Sequence, residues 1–344
     1  MKVFSFLVLL SACQLAVAQT GFSIRENKKG KKIEILYDQK IITAYCYFDS
    51  TEKPVLFPIK TLSGITITRG FPTAPRPGER TDHPHQMGLW LNYENVNGLD
   101  FWNNSDAIPA EKKSQYGSIK YQNILTSSAD VEKAILKTHC HWIDSKGKVL
   151  LEEVTDFVFR QDKGNLVIDR TSTLKAGPQE VKFKDAKDGL LGLRVARELE
   201  MPSKQEDTFT DGKGNATTVP MLNNAGVTGS YVNREGITGD DTWGKRSIWT
   251  CLNGTKDGQK ISIVIIDHPL NVGTPTHWHV RGYGLFAANP LGRKIFTDGK
   301  EELNYKLIKN QSVAFRFRIV IHAGQTFLQP TEIDGYMNSF ASQK

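Results

Sequence analysis

Histidines spaced one residue apart, tryptophans beside amides and carboxylates, and a run of arginines and glutamates could together bind a polar ligand and move a proton. The first group is Thr81-Asp82-His83-Pro84-His85-Gln86-Met87-Gly88-Leu89-Trp90, leading to Asn92, Asn95, Asn97, Asp100 and Trp102. On extended backbone His83 and His85 share one face, about 7 Å apart between α-carbons. That spacing suits two metal ligands, or two hydrogen-bonding groups lining a cleft. The second group is Thr276-His277-Trp278-His279-Val280-Arg281-Gly282-Tyr283-Gly284, preceded by Asp267-His268-Pro269. Together the two groups offer four imidazoles, so His83, His85, His277 and His279 are the candidate ligands if a divalent metal is the cofactor. A third pair, His139 and His141, sits among ordinary alternating strand residues and shows that the pattern also arises without a site. No His-Glu-x-x-His motif or facial carboxylate–histidine spacing accompanies these pairs, and no metal is assigned from them.

A third cluster runs from Asp188-Gly189 through Arg194, Arg197 and Glu198 to Glu200, with Asp240-Asp241-Thr242-Trp243-Gly244-Lys245-Arg246 further on. Read as one strand, Asp188, Arg194, Glu198 and Glu200 share a parity that Arg197 does not. Glu198 is the expected general acid or base, its pKa set by burial and by the arginines; the alternative is an Arg–Glu network on a sheet face. Of six tryptophans, Trp90, Trp102, Trp243 and Trp278 stand beside polar cluster residues, whereas Trp142 and Trp249 read as core. A sugar ring offers an apolar C–H face and a rim of hydroxyls, which tryptophan and Asn, Asp, Arg and His complement.

The elements that must position these residues read almost wholly as strands. Residues 31–48 give two, broken at Asp38-Gln39-Lys40; 117–127, 131–143, 148–160 and 165–175 follow at hairpin spacing. Near the C-terminus Val313, Phe315, Phe317, Ile319 and Ile321 alternate with Arg316, Arg318 and His322. Glu302 to Ile308 is its expected partner, joined through Lys309-Asn310-Gln311-Ser312. Leu190 to Met201 fits either a short helix or a strand crossing a polar site. Many strands and few helices predict an all-β fold of two large antiparallel sheets packed face to face.

Composition excludes several classes. Residues 1–18 read as a secretion leader ending Ala16-Val17-Ala18, with a lipoprotein cut before Cys13 as the alternative. The protein is then expected in the periplasm or outside the cell. Residues 19–344 are expected as one large sandwich domain. Without Lys2 the net charge is +6, and no basic stripe interleaved with aromatics suggests nucleic acid. No later run is long enough to cross a bilayer as a helix. Cys46, Cys140 and Cys251 permit at most one disulfide and read as buried small apolar groups.

Asp82-His83-Pro84-His85, Gly88-Leu89-Trp90, Val96-Asn97-Gly98-Leu99-Asp100-Phe101-Trp102, Asp188-Gly189 with Leu193-Arg194, and His279 through Gly292 resemble a secreted bacterial family labelled PmoA-like, over nearly the whole chain. Family members often place a further histidine or arginine where Gln86-Met87 stand, so a role needing those groups is not supported here. The oxygenase label belongs to a transmembrane subunit and reads as a misnomer for a chain with no such helices. The family layout is similar to galactose-mutarotase-like supersandwiches, which implies a sugar held over a broad sheet. The expected protein is therefore carbohydrate-active. Its acid/base residues are Glu198, His279 and His85. A sugar or sugar acid is bound by His83, Trp90, Asn97, Asp100, Trp102, Asp188, Arg194, Trp243, His277, Arg281 and Tyr283. Its alternatives are a non-catalytic sugar-binding protein of a polysaccharide-utilisation system, and a metal-dependent enzyme using the paired histidines.

Overall fold

Side chains alternate across a strand, so a sequence alternating apolar and polar residues buries one face and leaves the other for packing or solvent. A computed structural model describes residues 20–343, and this pattern dominates it. The leader expected at residues 1–18, and Cys13 within it, lie outside the described residues.

Five strands open the chain: β1 (Phe22–Asn27), β2 (Lys32–Tyr37), β3 (Lys40–Cys46), β4 (Val55–Leu56) and β5 (Leu89–Tyr93). A long meander follows, β6 (Ser118–Ala129), β7 (Lys133–Ile143), β8 (Val149–Asp162) and β9 (Asn165–Ala176). Next come β10 (Val181–Phe183), β11 (Gly189–Arg194), β12 (Ser230–Asn233), β13 (Trp249–Lys256) and β14 (Gln259–Asp267). The last strands are β15 (His277–Arg281), β16 (Leu285–Asn289), β17 (Tyr305–Leu307) and β18 (Ser312–Gly324), before α1 (Pro330–Ala341).

The strands pair into two eight-stranded antiparallel sheets, in the orders β1-β2-β3-β4-β5-β11-β16-β15 and β12-β13-β14-β18-β9-β8-β7-β6. Their inner faces share a core in which Leu89, Leu91, Leu191, Leu193 and Phe286 of the first sheet meet Phe157, Ile168, Phe315, Phe317 and Ile319 of the second. The all-β, two-sheet architecture expected from the alternation is what forms. The break at Asp38-Gln39 is also as read: both residues adopt left-handed backbone between β2 and β3.

Three expectations need correction. Glu302–Ile308 does not pair with the strand after it: β17 pairs with β10, while β18 pairs with β9 along Ser312–Ile321 and with β14 along Phe317–Gly324. The Leu190–Met201 segment is a strand only to Arg194, after which residues 197–199 turn as a short 3-10 helix; the common parity of Asp188, Arg194, Glu198 and Glu200 is lost. Trp278 belongs to the inner core against Phe286, not to a polar site. A helix also went unread. α1 begins at Pro330 with a reciprocal Gln329–Glu332 capping box and lays Ile333, Tyr336 and Phe340 on Val167, Val264, Ile266 and Val320 of the second sheet's outer face. Its short length and single apolar stripe gave a weak periodic signal.

Cys46, Cys140 and Cys251 are all free and buried, and burial pushes each thiol up to about 12. None is a reactive thiolate at neutral pH. Among the described residues no helix is long and apolar enough to cross a membrane.

Candidate functional site

The outer face of the first sheet carries the polar clusters. Strand register places Trp90 opposite Gly192, Gly192 opposite Ala287, and Ala287 opposite His279, in one row across β5, β11, β16 and β15. Two small residues thus lie between an indole and an imidazole, and all four are buried. A Cβ on Gly192 would lie 2.4 Å from the Trp90 ring and 2.9 Å from that of Trp102, so glycine is what lets these rings settle there. Trp90 and Trp102 pack at 5.1 Å between centroids, their planes tilted by 58°, both fully buried. The neighbouring row is Arg194, Leu285 and Arg281.

The loop bearing His83 and His85 is held by Arg69, which is wholly buried. Its guanidinium donates to the carbonyls of Arg80, Asp82, His83 and Gln86 and to Asp82 Oδ1. Fixing four carbonyls from one planar donor explains how His83 can sit at φ +44°, a left-handed conformation that a non-glycine residue rarely adopts. Arg194, equally buried, donates to both carboxylate oxygens of Asp82 and to Gln86 Oε1. Burial alone would raise Asp82; the Arg194 and Arg69 charges and the hydrogen bond with His83 outweigh it and hold the carboxyl far below its usual range. Tyr283 completes this wall: Arg194 lies 4.7 Å from its ring centroid and His83 stacks on it at 5.0 Å.

Arg281, at the end of β15, lies 5.1 Å over the Trp243 ring and donates from Nε to His279 Nε2 at 3.3 Å. His279 Nδ1 approaches Asp188 Oδ1 at 3.2 Å but makes no aligned hydrogen bond among the described residues. Burial lowers the His279 pKa, against the pull of Asp188, so the imidazole is neutral at pH 7. Burial, with the Asp188 charge nearby, conversely raises Glu94 and Asp100. His277 donates from Nδ1 to the Gly244 carbonyl and stacks on Phe296. Trp243, Arg281 and Tyr283 line a cleft of about 520 Å³ with Arg80, Asp207 and Asp240.

On the other side His85, Met87, Pro72 and Asn104 line a cleft of about 440 Å³, together with Lys53. This lysine is only 4% exposed. Its ammonium donates to the His85 carbonyl at 2.8 Å and lies 5.6 Å from the Trp90 ring. Burial brings it down to about 7 against the opposing charges of Asp100 and Glu52. The same burial, with Lys53 and His83 adjacent, holds His85 down to about 2. Sequence reasoning missed Lys53 and Arg69. Lys53 stands in the polar run Thr51-Glu52-Lys53-Pro54 and Arg69 in Thr66-Ile67-Thr68-Arg69-Gly70, and only tertiary burial distinguishes them.

Several buried polar atoms of this face have no hydrogen-bond partner among the described residues: Trp90 Nε1, Asn92 Oδ1, His85 Nε2, His277 Nε2 and Trp243 Nε1. Folded proteins satisfy most such groups, and a concentration of exceptions marks a place built for something else.

Not every expected residue joins this face. Glu198 is ion-paired with Lys256 and, at 3.5 Å, with Arg76. Burial would raise it, but the Lys256 hydrogen bond and the Arg76 charge prevail and it is held low. Asn97 is a turn residue at φ +54° whose Oδ1 accepts from the Lys182 amide; it lines a separate open groove with Glu180 and Lys184. The four histidines proposed as metal ligands form no group of three ligand atoms within 4.8 Å among the described residues; the one such group is His139, His141 and Glu152.

Residues 32–338 match the family described as "Family of unknown function (DUF6807)", and the chain belongs to that family. No curated protein matches it in sequence. Among solved structures it is similar to the galactosidase domain of an α-galactosidase–sucrose kinase, at 10% identity and TM-score 0.39, over 88% of this chain. The chain spans 42% of that protein. It is also similar to a Synechocystis protein, at 10% identity and TM-score 0.31, over 92% of this chain and all of that one. A galactose mutarotase related enzyme from Lactobacillus acidophilus gives 10% identity and TM-score 0.30, over 90% of this chain and 99% of the other. Overlaps this loose transfer neither substrate nor mechanism.

Proposed function

We propose that this chain is a secreted carbohydrate-active protein that holds a sugar or sugar acid on the outer face of its first sheet. The observation that supports it is the cleft lined by Trp243, Arg281 and Tyr283, set beside the buried row Trp90–Gly192–Ala287–His279 and donors that have no partner among the described residues. Trp243 and Tyr283 line the cleft with aromatic surface for the C–H side of a ring, while Arg281 offers a fork for hydroxyls or a carboxylate.

In this reading His279 is the base. Its imidazole is neutral, and Asp188 stands where it would stabilise the imidazolium formed on accepting a proton. Arg281 occupies Nε2 at rest. A ligand carboxylate that engages Arg281 would draw it from Nε2 and uncover the lone pair, coupling recognition of an acidic sugar to proton transfer. Glu198 is held ionised by Lys256 and Arg76 and so has no proton to give at pH 7, whereas Glu94 and Asp100, with raised pKa values, are the carboxyls nearer to holding one. The binding-only reading has one specific support, the same Arg281–His279 contact, which caps the base.

Calorimetry against neutral and uronic-acid oligosaccharides, with products followed by mass spectrometry, tests the proposal. Binding and turnover in the wild type, with turnover lost in His279→Ala, is the expected result. Binding without product selects the non-catalytic reading, and no binding across the panel removes both.

A further inference from the structure

We propose that a divalent transition-metal ion binds on the opposite side of the molecule, on the outer face of the second sheet, held by His139, His141 and Glu152. Strands β7 and β8 set the three residues together: His141 lies directly opposite Glu152, and His139, two residues along β7, faces the same way. Their ligand atoms all fall within 4.8 Å of one another. The two imidazole rings meet edge to face, with centroids 4.9 Å apart and an interplanar angle of 87°, so each presents its nitrogens in a different direction. None of the three side chains makes a hydrogen bond or ion pair with another side chain among the described residues, although most polar side chains around them do.

The chemistry of this set points to zinc or copper rather than calcium or magnesium. Imidazole nitrogen is a borderline-soft donor that hard cations take poorly, and two imidazoles with one carboxylate form a common zinc ligand set. Bond lengths of about 2.0–2.2 Å to a tetrahedral ion place donor atoms roughly 3.4 Å apart. Side-chain rotation brings donors now within 4.8 Å to that separation while the backbone ladder stays put. Both histidines are half-buried and Glu152 is exposed, so an ion has an entry path and a fourth position stays open to solvent. The charged neighbours are spread along the same row: Lys120 of β6 stands opposite His141, and Lys175 of β9 opposite Glu152. Lys120 is already tied to Glu52, which keeps its charge off the histidines. Asn123, opposite His139, is uncharged. This His-x-His pair therefore differs from the two on the first sheet, where the rings of His83, His277 and His279 are separately engaged with Asp82, Gly244 and Arg281.

Calorimetric titration of the purified chain with zinc chloride at pH 7.5 is the test. The expected result is one ion per chain with micromolar affinity. The double variant His139→Ala/His141→Ala should weaken binding by a hundredfold or more, and Glu152→Gln by about tenfold. His279→Ala, on the other sheet, should leave it unchanged. Circular dichroism of each variant, together with the exposed Glu152→Gln change, separates loss of the site from loss of the fold. Failure of the wild type to bind zinc stoichiometrically, or binding that persists in the double variant, would overturn the proposal.

Discussion

Each sheet buries an arginine–aspartate pair on its outer face, and the surroundings of the two pairs differ. Beneath α1, Arg318 donates to both oxygens of Asp169, to the Tyr336 carbonyl and to Ser339 Oγ. Arg160 adds a further hydrogen bond to Asp169. On the first sheet Arg194 clamps Asp82 in the same two-pronged way, yet the surrounding face leaves Trp90, His85, His277 and Trp243 with unmatched polar atoms among the described residues. The same ion pair does different work in the two places. The Arg318 network, which leaves His268 Nε2 unmatched beside it, fixes a helix on a sheet, whereas the far less satisfied one is arranged for a ligand.

Variants can break or sharpen that contrast. The largest effect is expected at the saturated pair: Arg318→Ala leaves the buried Asp169 carboxylate with Arg160 as its sole charge partner and should cost about 3 kcal/mol in urea unfolding, leaving sugar binding intact. If binding were lost with it, the two faces would not be independent. On the first sheet the order should reverse. Arg281→Ala is predicted to weaken binding of an acidic sugar by ten- to a hundredfold, about 1.4–2.8 kcal/mol, with little change in unfolding midpoint.

Acid offers a third comparison. His85 has a folded pKa near 2, against about 6.5 for a free imidazole. Between those values the unfolded chain binds the proton and the native one does not, so stability rises with pH across the window and falls on acidification. The wild type should lose about 1 kcal/mol more than His85→Asn on going from pH 6.5 to 5.5, since His85 is only partly shielded. Equal losses would show that His85 is not held neutral. The smallest effect belongs to Glu198→Gln. Its carboxylate is about one third exposed, so stability should change by less than about 1 kcal/mol and binding of the sugar not at all. A collapse of turnover in this variant would restore Glu198 to the catalytic role that its sequence context suggested.

Much of the architecture was legible because strands advertise themselves at short range: the alternation in Val313–Ile321 specifies which side chains face the core. The partner of each strand was less legible. β17 looked like half of a hairpin with β18, but its partner is β10, far earlier in the chain, which is a long-range fact. At the site, histidines and tryptophans were visible as residue types, while Lys53 and Arg69 were not, because burial rather than neighbours in sequence makes them unusual. His139 and His141 show the converse. Their setting in an ordinary strand argued against a site, and only the cross-strand position of Glu152 supplies the third donor.

A crystal of the protein soaked with a uronic-acid oligosaccharide tests the central claim most directly. The account predicts density on the outer face of the first sheet, packed against Trp243 and Tyr283, with a carboxylate or hydroxyl pair on Arg281 and His279 Nε2 freed towards the ring. Ligand density only in the groove beside Asn97, or on the second sheet, with Arg281 still bound to His279, would contradict it.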